Sequence, residues 1–247
     1  PYTTLFRSDG TKLYLMPGGS LSAFTIPDGV TRVEDKAFTC CSRLERLAVS
    51  ATVTENLEKA FHEIPNSLKF LTVAEGNTQY KAVDNVLYSA DGTILYSYPK
   101  GSEQTSFTIP SGVTHIASDA FMYAYTLESV TIPGTVNNFS SFAFYGCRAL
   151  KTVNYTGTID QWCATSFYDE GSNPLSNSAA LYLNGVEVLD LVIKGYHNPK
   201  ISELLCISEH TTKAHLASIY EKLQVSNRIQ AIIKYLKINK ELKLTAE

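Results

Sequence analysis

Four short runs in this chain carry apolar residues at alternate positions towards their ends: Leu44, Leu47 and Val49; Leu68, Leu71 and Val73; Leu127, Val130 and Ile132; Leu150, Val153 and Tyr155. A period of two is that of a half-buried strand, with one face on a core and the other in solvent. Each run follows an Ala-Phe pair, at Ala37, Ala60, Ala120 and Ala143, and the first two pairs lie 23 residues apart, as do the last two. The longer stretch from Phe24 to Phe38, with Ile26-Pro-Asp-Gly29 inside it, returns from Phe107 to Phe121 with Ile109-Pro-Ser-Gly112. A unit so short cannot bury its own apolar face, so neighbours must stack into one continuous core. The product is a solenoid, with an extended surface rather than an enclosed pocket. The strands are predicted to form one parallel sheet. Proline ends each strand, glycine supplies the φ > 0 of the turn, and the Ala-Phe pair packs a small and a large residue into the opposite wall.

In these motifs the chain resembles the BspA-like leucine-rich repeats of bacterial and protist surface proteins, over roughly Asp9 to Glu187. The resemblance implies a non-enzymatic interaction module whose surface meets a protein or a glycan. Two inserts are consistent with it. Residues 85–99 alternate apolar positions on either side of Asp91-Gly92, a hairpin signal, and the stretch from Asp9 to Pro17 reads as the second arm of the same hairpin in an earlier copy. The stretch from Gly157 to Cys163, with Ala180 to Glu187, resembles the block that separates runs of repeats in this family.

The picture changes near residue 190. Residues 1–193 hold 12 Lys+Arg against 19 Asp+Glu, and residues 194–247 hold 9 against 5, so the net charge of −3 hides an acidic body and a basic tail. That asymmetry points to a polyanion partner for the tail. From Val188 the apolar residues recur at three and four: Val188, Leu189 and Val192; Ile201, Leu204 and Leu205; Leu216, Ile219, Tyr220 and Leu223; Ile229, Ile232, Ile233 and Leu236. These are short amphipathic helices, all expected to turn their apolar stripe inward. Lys194-Gly195 reads as a helix end with a glycine cap, Asn198 as the cap of the next helix, Cys206-Ile207 as a tight turn, and Ser208 as the cap of a helix reaching about Leu223. Two helices so joined form a helix-turn-helix, whose second member enters the DNA major groove.

The residues from Gly195 to Ala231 closely resemble the C-terminal DNA-binding domain of LuxR-type bacterial transcription regulators. What the resemblance implies is a dimeric, sequence-specific DNA-binding domain over about 188–240, followed by a tail, 241–247. It places Lys213 where the family presents a basic side chain to base edges or phosphate, Ser208 and Thr211 at a phosphate-binding helix start, and Ala214 against a thymine methyl. Asn198, His210, Ala217 and Lys222 complete the DNA-facing set, and Val225, Ser226, Asn227, Gln230 and Ala231 the dimer-forming one. Asn198-Pro199-Lys200 and Ala217 depart from the family pattern, which would lower affinity.

Pro1 to Ser8 is what a common sequencing adapter would encode and is set aside as a scar, which would make the chain a metagenomic fragment. The junction near Glu187 has no Gly-, Pro- or Ser-rich linker. The alternative to a natural fusion is therefore a cell-surface or secreted adhesion protein with the helical part appended by chimeric assembly; the natural fusion would work in the cytoplasm. Cys40, Cys41, Cys147, Cys163 and Cys206 lack CxxC spacing and read as buried thiols. His210 and His215 lie five apart, on different helix faces, so no metal is expected. With no phosphate loop, nucleophile elbow or paired carboxylates, neither an enzyme nor a cofactor is implied, and no apolar run reaches the ~20 residues of a membrane span.

Overall fold

A computed structural model describes residues 7–8, 10–15, 21–35, 37–39, 41–63, 65–177, 179–183, 186–187, 189–205, 208–222 and 224–234. Successive strands alternate between two stacks. In one, Ala23–Thr25, Arg46–Val49 and Phe70–Val73 pair in parallel, and a second sheet of the same stack joins Ser106–Thr108, Ser129–Ile132, Thr152–Tyr155 and Ala180–Leu183. Val186–Glu187 then folds back antiparallel on Ala180–Leu183. The other stack holds the short strands Arg32–Val33, His115–Ile116, Asn138–Phe139 and Ser166–Phe167.

The single ladder expected from the sequence is thus two sheets. What divides them is the insert, where the expected hairpin about Asp91-Gly92 is formed and a preceding strand extends it to a three-stranded meander. Tyr80–Val83, Val86–Ser89 and Ile94–Ser97 run antiparallel, and the last of them continues in parallel into His115–Ile116. Asp84 and Asn85 join the first two strands at φ 51° and 67°, the two-residue loop whose twist matches antiparallel strands. Asp91 closes the second turn, its carboxylate accepting from Ser89 Oγ at 2.6 Å, Thr93 N at 3.0 Å and Thr93 Oγ1 at 2.9 Å. These donors, Ser89 first, hold the Asp91 pKa down to about 2.

The repeat positions fill the interior. All eight Ala-Phe residues are buried, as are Leu44, Leu68, Leu127 and Leu150. Phe121 stacks on Phe144 at 4.6 Å and on Tyr98 at 5.3 Å, and Phe38 meets Phe61 edge to face at 6.1 Å. Each such side chain contributes roughly 1.5–3 kcal/mol on burial. The apolar residues form two cores that meet at the meander: Leu87 belongs to the first, its neighbours Val86 and Tyr88 to the second.

The turns follow Ile-Pro, with glycine two residues after the proline at Gly29 and Gly112 and directly after it at Gly134, and Val30, Val113 and Val136 donate to Pro27, Pro110 and Pro133. Their glycines differ from expectation. Gly29 stands at φ 93°, whereas Gly112 lies outside the left-handed region with open space around it. At Gly134 the constraint is approach, since a Cβ there would stand 2.7 Å from the Gly157 Cα.

Arg7–Ser8, in the segment set aside from the sequence, pairs antiparallel with Lys12–Leu15, so these two residues form a hairpin arm; 1–6 lie outside the described residues. Cys41 and Cys147 are buried free thiols. The Cys147 thiol donates to the Phe121 carbonyl at 3.0 Å, and burial pushes its pKa up to about 12. Cys40, Cys206 and the Cys163 side chain lie outside the described residues. Among the described residues no helix is long and apolar enough to cross a membrane.

Candidate nucleic-acid interface

Four helices of the described chain build this region, and one residue of the repeat block anchors it. After the short helix α1 (Leu57–Ala60) of the repeats, α2 (Ile159–Ala164) is started by a reciprocal cap between Thr158 and Gln161. It carries Trp162, fully buried, edge-on to Tyr155 at 4.9 Å and tilted against Phe167 at 5.4 Å. The indole N–H donates to the Leu205 carbonyl at 3.2 Å, the last residue of α4 (Asn198–Leu205). Leu191, Val192, Ile201, Leu205, Leu216 and Ala231 lie in the same core as the second set of repeats. The helices are packed onto the solenoid, not tethered beside it.

Helix α3 (Leu189–Ile193) ends as its Lys-Gly signal predicts. Gly195 sits at φ 84°, and the amides of Gly195 and Tyr196 return to the carbonyls of Val192 and Leu191, the paired bonds of a glycine-capped terminus. The expected Asn198 cap is not formed. Asn198 is already helical, His197 accepts the first helical bond from Ile201, and the Asn198 carboxamide oxygen instead accepts from Arg228 at 3.4 Å. Pro199 is tolerated in that first turn because its missing N–H would have no partner there.

Helix α5 (Glu209–Lys222) begins directly after Ser208, whose carbonyl accepts from Thr212 at 2.9 Å. Its inner face bears buried Thr212 and Leu216 and half-buried Tyr220. Ser202 Oγ on α4 donates to the Asn198 carbonyl at 2.7 Å and lies 2.8 Å from Thr212 Oγ1, so the Thr212 hydroxyl supplies the proton between them. This buried pair fixes the angle between α4 and α5. The outer face exposes Ser208, Glu209, His210, Lys213 and Ala217. Lys213 pairs only loosely with Glu209, at 3.9 Å one turn away, and exposed pairs of that kind are worth about 0–1 kcal/mol, so Lys213 can turn to another anion. Thr211, Ala214 and Lys222 lie on α5, but their side chains are outside the described ones; the turn Cys206-Ile207 is outside as well.

A last helix, α6, is described over 228–234. Asn227 Oδ1 accepts from Gln230 N at 3.0 Å, and Ser226 donates to Gln230 Oε1 through both N and Oγ at 3.0 Å. Arg228 donates to the carbonyls of Val192 and Tyr196, tying α6 to the α3–α4 corner. Two expectations change here. Ala231, expected on a dimer surface, is fully buried, and Ile229 and Ile233, expected in the inward stripe, are 69 % and 49 % exposed. With Ala231 buried and Ile232 packed on the core, the inner face of the helix lies between them, and Ile229 and Ile233, one turn apart, fall to its other side. Among the described residues no group of three or more His, Cys, Asp or Glu could hold a metal ion.

Comparison with known proteins separates the same two parts. The model of the BspA-type leucine-rich-repeat region matches residues 14–85 and 94–175 in six copies, and that of bacterial regulatory proteins of the luxR family matches residues 185–235. The transcriptional regulatory protein DegU of Brevibacillus brevis is 45 % identical over 51 residues, 21 % of this chain and 22 % of that protein. The glycerol metabolism activator of Pseudomonas putida is 48 % identical over 46 residues, 19 % and 21 % of the two chains. The chain thus spans about a fifth of the length of these relatives. Among solved structures, a leucine-rich cell surface protein from Faecalibacterium prausnitzii aligns over 67 % of this chain and 60 % of its own at 24 % identity, with a TM-score of 0.44. A leucine-rich repeat protein of T. pallidum aligns over 61 % and 79 % at 20 % identity, with a TM-score of 0.37. The matched families are binding and regulatory ones. With packing continuous across the junction, an appended, chimeric C-terminus is not favoured.

Proposed function

We propose, of a chain that belongs to the BspA-type leucine-rich-repeat family, that its helical module binds duplex DNA and regulates transcription while its solenoid engages a partner. The observation carrying the DNA reading is the outer face of α5. Lys213, His210 and Ser208 stand exposed on a helix whose angle is fixed from behind by Ser202, Thr212, Leu205 and Leu216. Docking on Trp162 uses α4 and leaves that face open. A net positive tail against a net acidic body adds a salt-dependent attraction to phosphate, with log K falling by about 0.9 per log salt for each phosphate neutralised.

The test is binding of the full chain to duplex DNA across a salt series. Lys213→Ala should weaken binding by about 1–3 kcal/mol if it reads a base, with the loss confined to one operator, or uniformly with a shallower salt slope if it holds a phosphate. Lys151→Ala, on the solenoid, should change neither. Equal effects of the two substitutions would sink the assignment of α5.

Dimerisation through α6 is the second part of the proposal, supported by the exposed Ile229 and Ile233. Ile233→Asp should move the sedimentation coefficient of the chain to that of a monomer and weaken binding to a palindromic site. A chain already monomeric at working concentration would remove this part. The solenoid's partner, a protein or a glycan, would supply the input that the DNA-binding half reads out.

A further inference from the structure

The solenoid carries a group of aromatic side chains that its core does not use. Phe142 and Tyr145 are each 46 % exposed. With Tyr123 they make a continuous platform: the Tyr145 ring meets Tyr123 at 5.8 Å and Phe142 at 5.5 Å, both edge to face.

Two of these rings sit on backbone that disfavours them. Tyr123 and Phe142 stand at φ 61° and 55°, in the left-handed region that bulky residues rarely adopt. Relative to the Ala-Phe pairs, the counterpart of Phe142 one turn earlier is Asp119, at φ 59°, and the counterpart of Tyr123 one turn later is Gly146, at φ 72°; aspartate and glycine accept this conformation at little cost. Gly146 also makes room for the platform, since a Cβ there would stand 2.5 Å from the Tyr123 ring. Strain at an aromatic position that faces solvent brings no compensating burial, and strain of this kind gathers at binding sites.

The rings line a groove of about 530 Å3 with Arg148, Asp169 and Glu170 on it, a volume in the ~300–1,000 Å3 range of small-molecule sites. Asp169 is fixed by bonds from Ser141 Oγ at 2.5 Å and Ser172 N at 2.7 Å. Arg148 and Glu170 are exposed and make no side-chain hydrogen bond or ion pair among the described residues. We infer that this groove binds a neutral oligosaccharide. A pyranose ring lays a flat face of C–H groups on an aromatic ring, and its hydroxyls both donate and accept, so Arg148 and Glu170 are satisfied at once beside an Asp169 already held in place. An anion would meet Asp169 and Glu170, a cation would meet Arg148, and an apolar segment would desolvate Arg148 and Glu170 without hydrogen bonds.

This inference rests on the reading of the solenoid as the partner-binding half and is independent of DNA binding. The full chain is titrated by calorimetry with maltohexaose, cellohexaose and chitohexaose, and with hexalysine and hexagalacturonate as charged comparators. At least one neutral hexasaccharide should bind, and Tyr145→Ala and Phe142→Asn should each weaken it by about tenfold or more. Asparagine suits the left-handed backbone, so Phe142→Asn removes the ring and keeps the turn. A far-UV circular dichroism spectrum and thermal midpoint unchanged in both variants show that the chain is folded. No neutral binding at about 10 mM, where a Kd near 1 mM would register, overturns the inference, as does binding that both variants leave intact. If a charged comparator binds instead and the ring variants abolish it, the neutral sugar is overturned while the solenoid keeps its partner-binding role.

Discussion

The repeats and the helical module bury the same kinds of side chain under opposite rules. In the solenoid a core position is refilled one turn on, Phe38 beside Phe61 and Phe121 beside Phe144. Each turn is therefore held by its neighbours, and stability is close to a sum over turns and interfaces. In the helices Leu205, Leu216 and Ala231 each occur once, and the Trp162 indole ties them to the repeats by a hydrogen bond that no other turn repeats among the described residues. Redundancy lets the solenoid absorb the meander of 80–97 between two sheets without losing its core. The module has no spare parts.

The largest test of this contrast lies inside the repeats. Phe121→Ala opens a cavity between Tyr98 and Phe144 and should cost about 3–5 kcal/mol. Because the second core runs into the helices, loss of helical circular dichroism should accompany it at the same lowered midpoint. An unchanged midpoint would refute the stacked core. Next in size is Trp162→Phe, which keeps the ring and leaves the Leu205 carbonyl without its donor, at about 1–3 kcal/mol. Amide exchange should quicken in α4 and α5 and stay as it was over residues 44–73. Uniform acceleration would mean that the two parts are one cooperative block.

The smallest effect belongs to the meander. The Asp91 pKa is depressed, so its contribution is fully present above the ordinary carboxylate value and is lost as pH falls through about 2. The Thr93 amide shift, followed by NMR from pH 5 downward, should titrate with a midpoint near 2. A midpoint near 4 would show that the bonds from Ser89 and Thr93 do not form in solution.

What can be read from the sequence divides along the same line. Stacking forces a period, so the Ala-Phe pairs and the leucines after them disclose the core through their spacing alone. Gly29 and Gly112 occupy the same motif yet differ in backbone, because a motif records which residue is tolerated, not which conformation is taken. Trp162 is visible in the sequence only as part of a repeat-block pattern; its partner lies 43 residues away, at the end of a helix, and no local signal encodes that docking. Periodicity misplaces Ala231, Ile229 and Ile233 because the three isoleucines form one stripe at i, i+3 and i+4, and nothing in that spacing says that Ala231, outside the stripe, is the innermost position. The face of α5 is legible because Thr212 and Leu216 fall one turn apart, leaving Lys213 and Ala217 beside them on the outside.

The reversed strand Val186–Glu187 has a consequence for how the molecule keeps apart from its copies. A stack of parallel strands presents a row of unpaired N–H and C=O groups at its edge, and an identical stack presents the matching row, so solenoids can grow into fibres by adding subunits head to tail. On Ala180–Leu183 that row is taken by a strand running the other way and only two residues long. An incoming parallel strand finds the wrong polarity and too little length, and polymerisation through this edge is blocked by the molecule's own backbone.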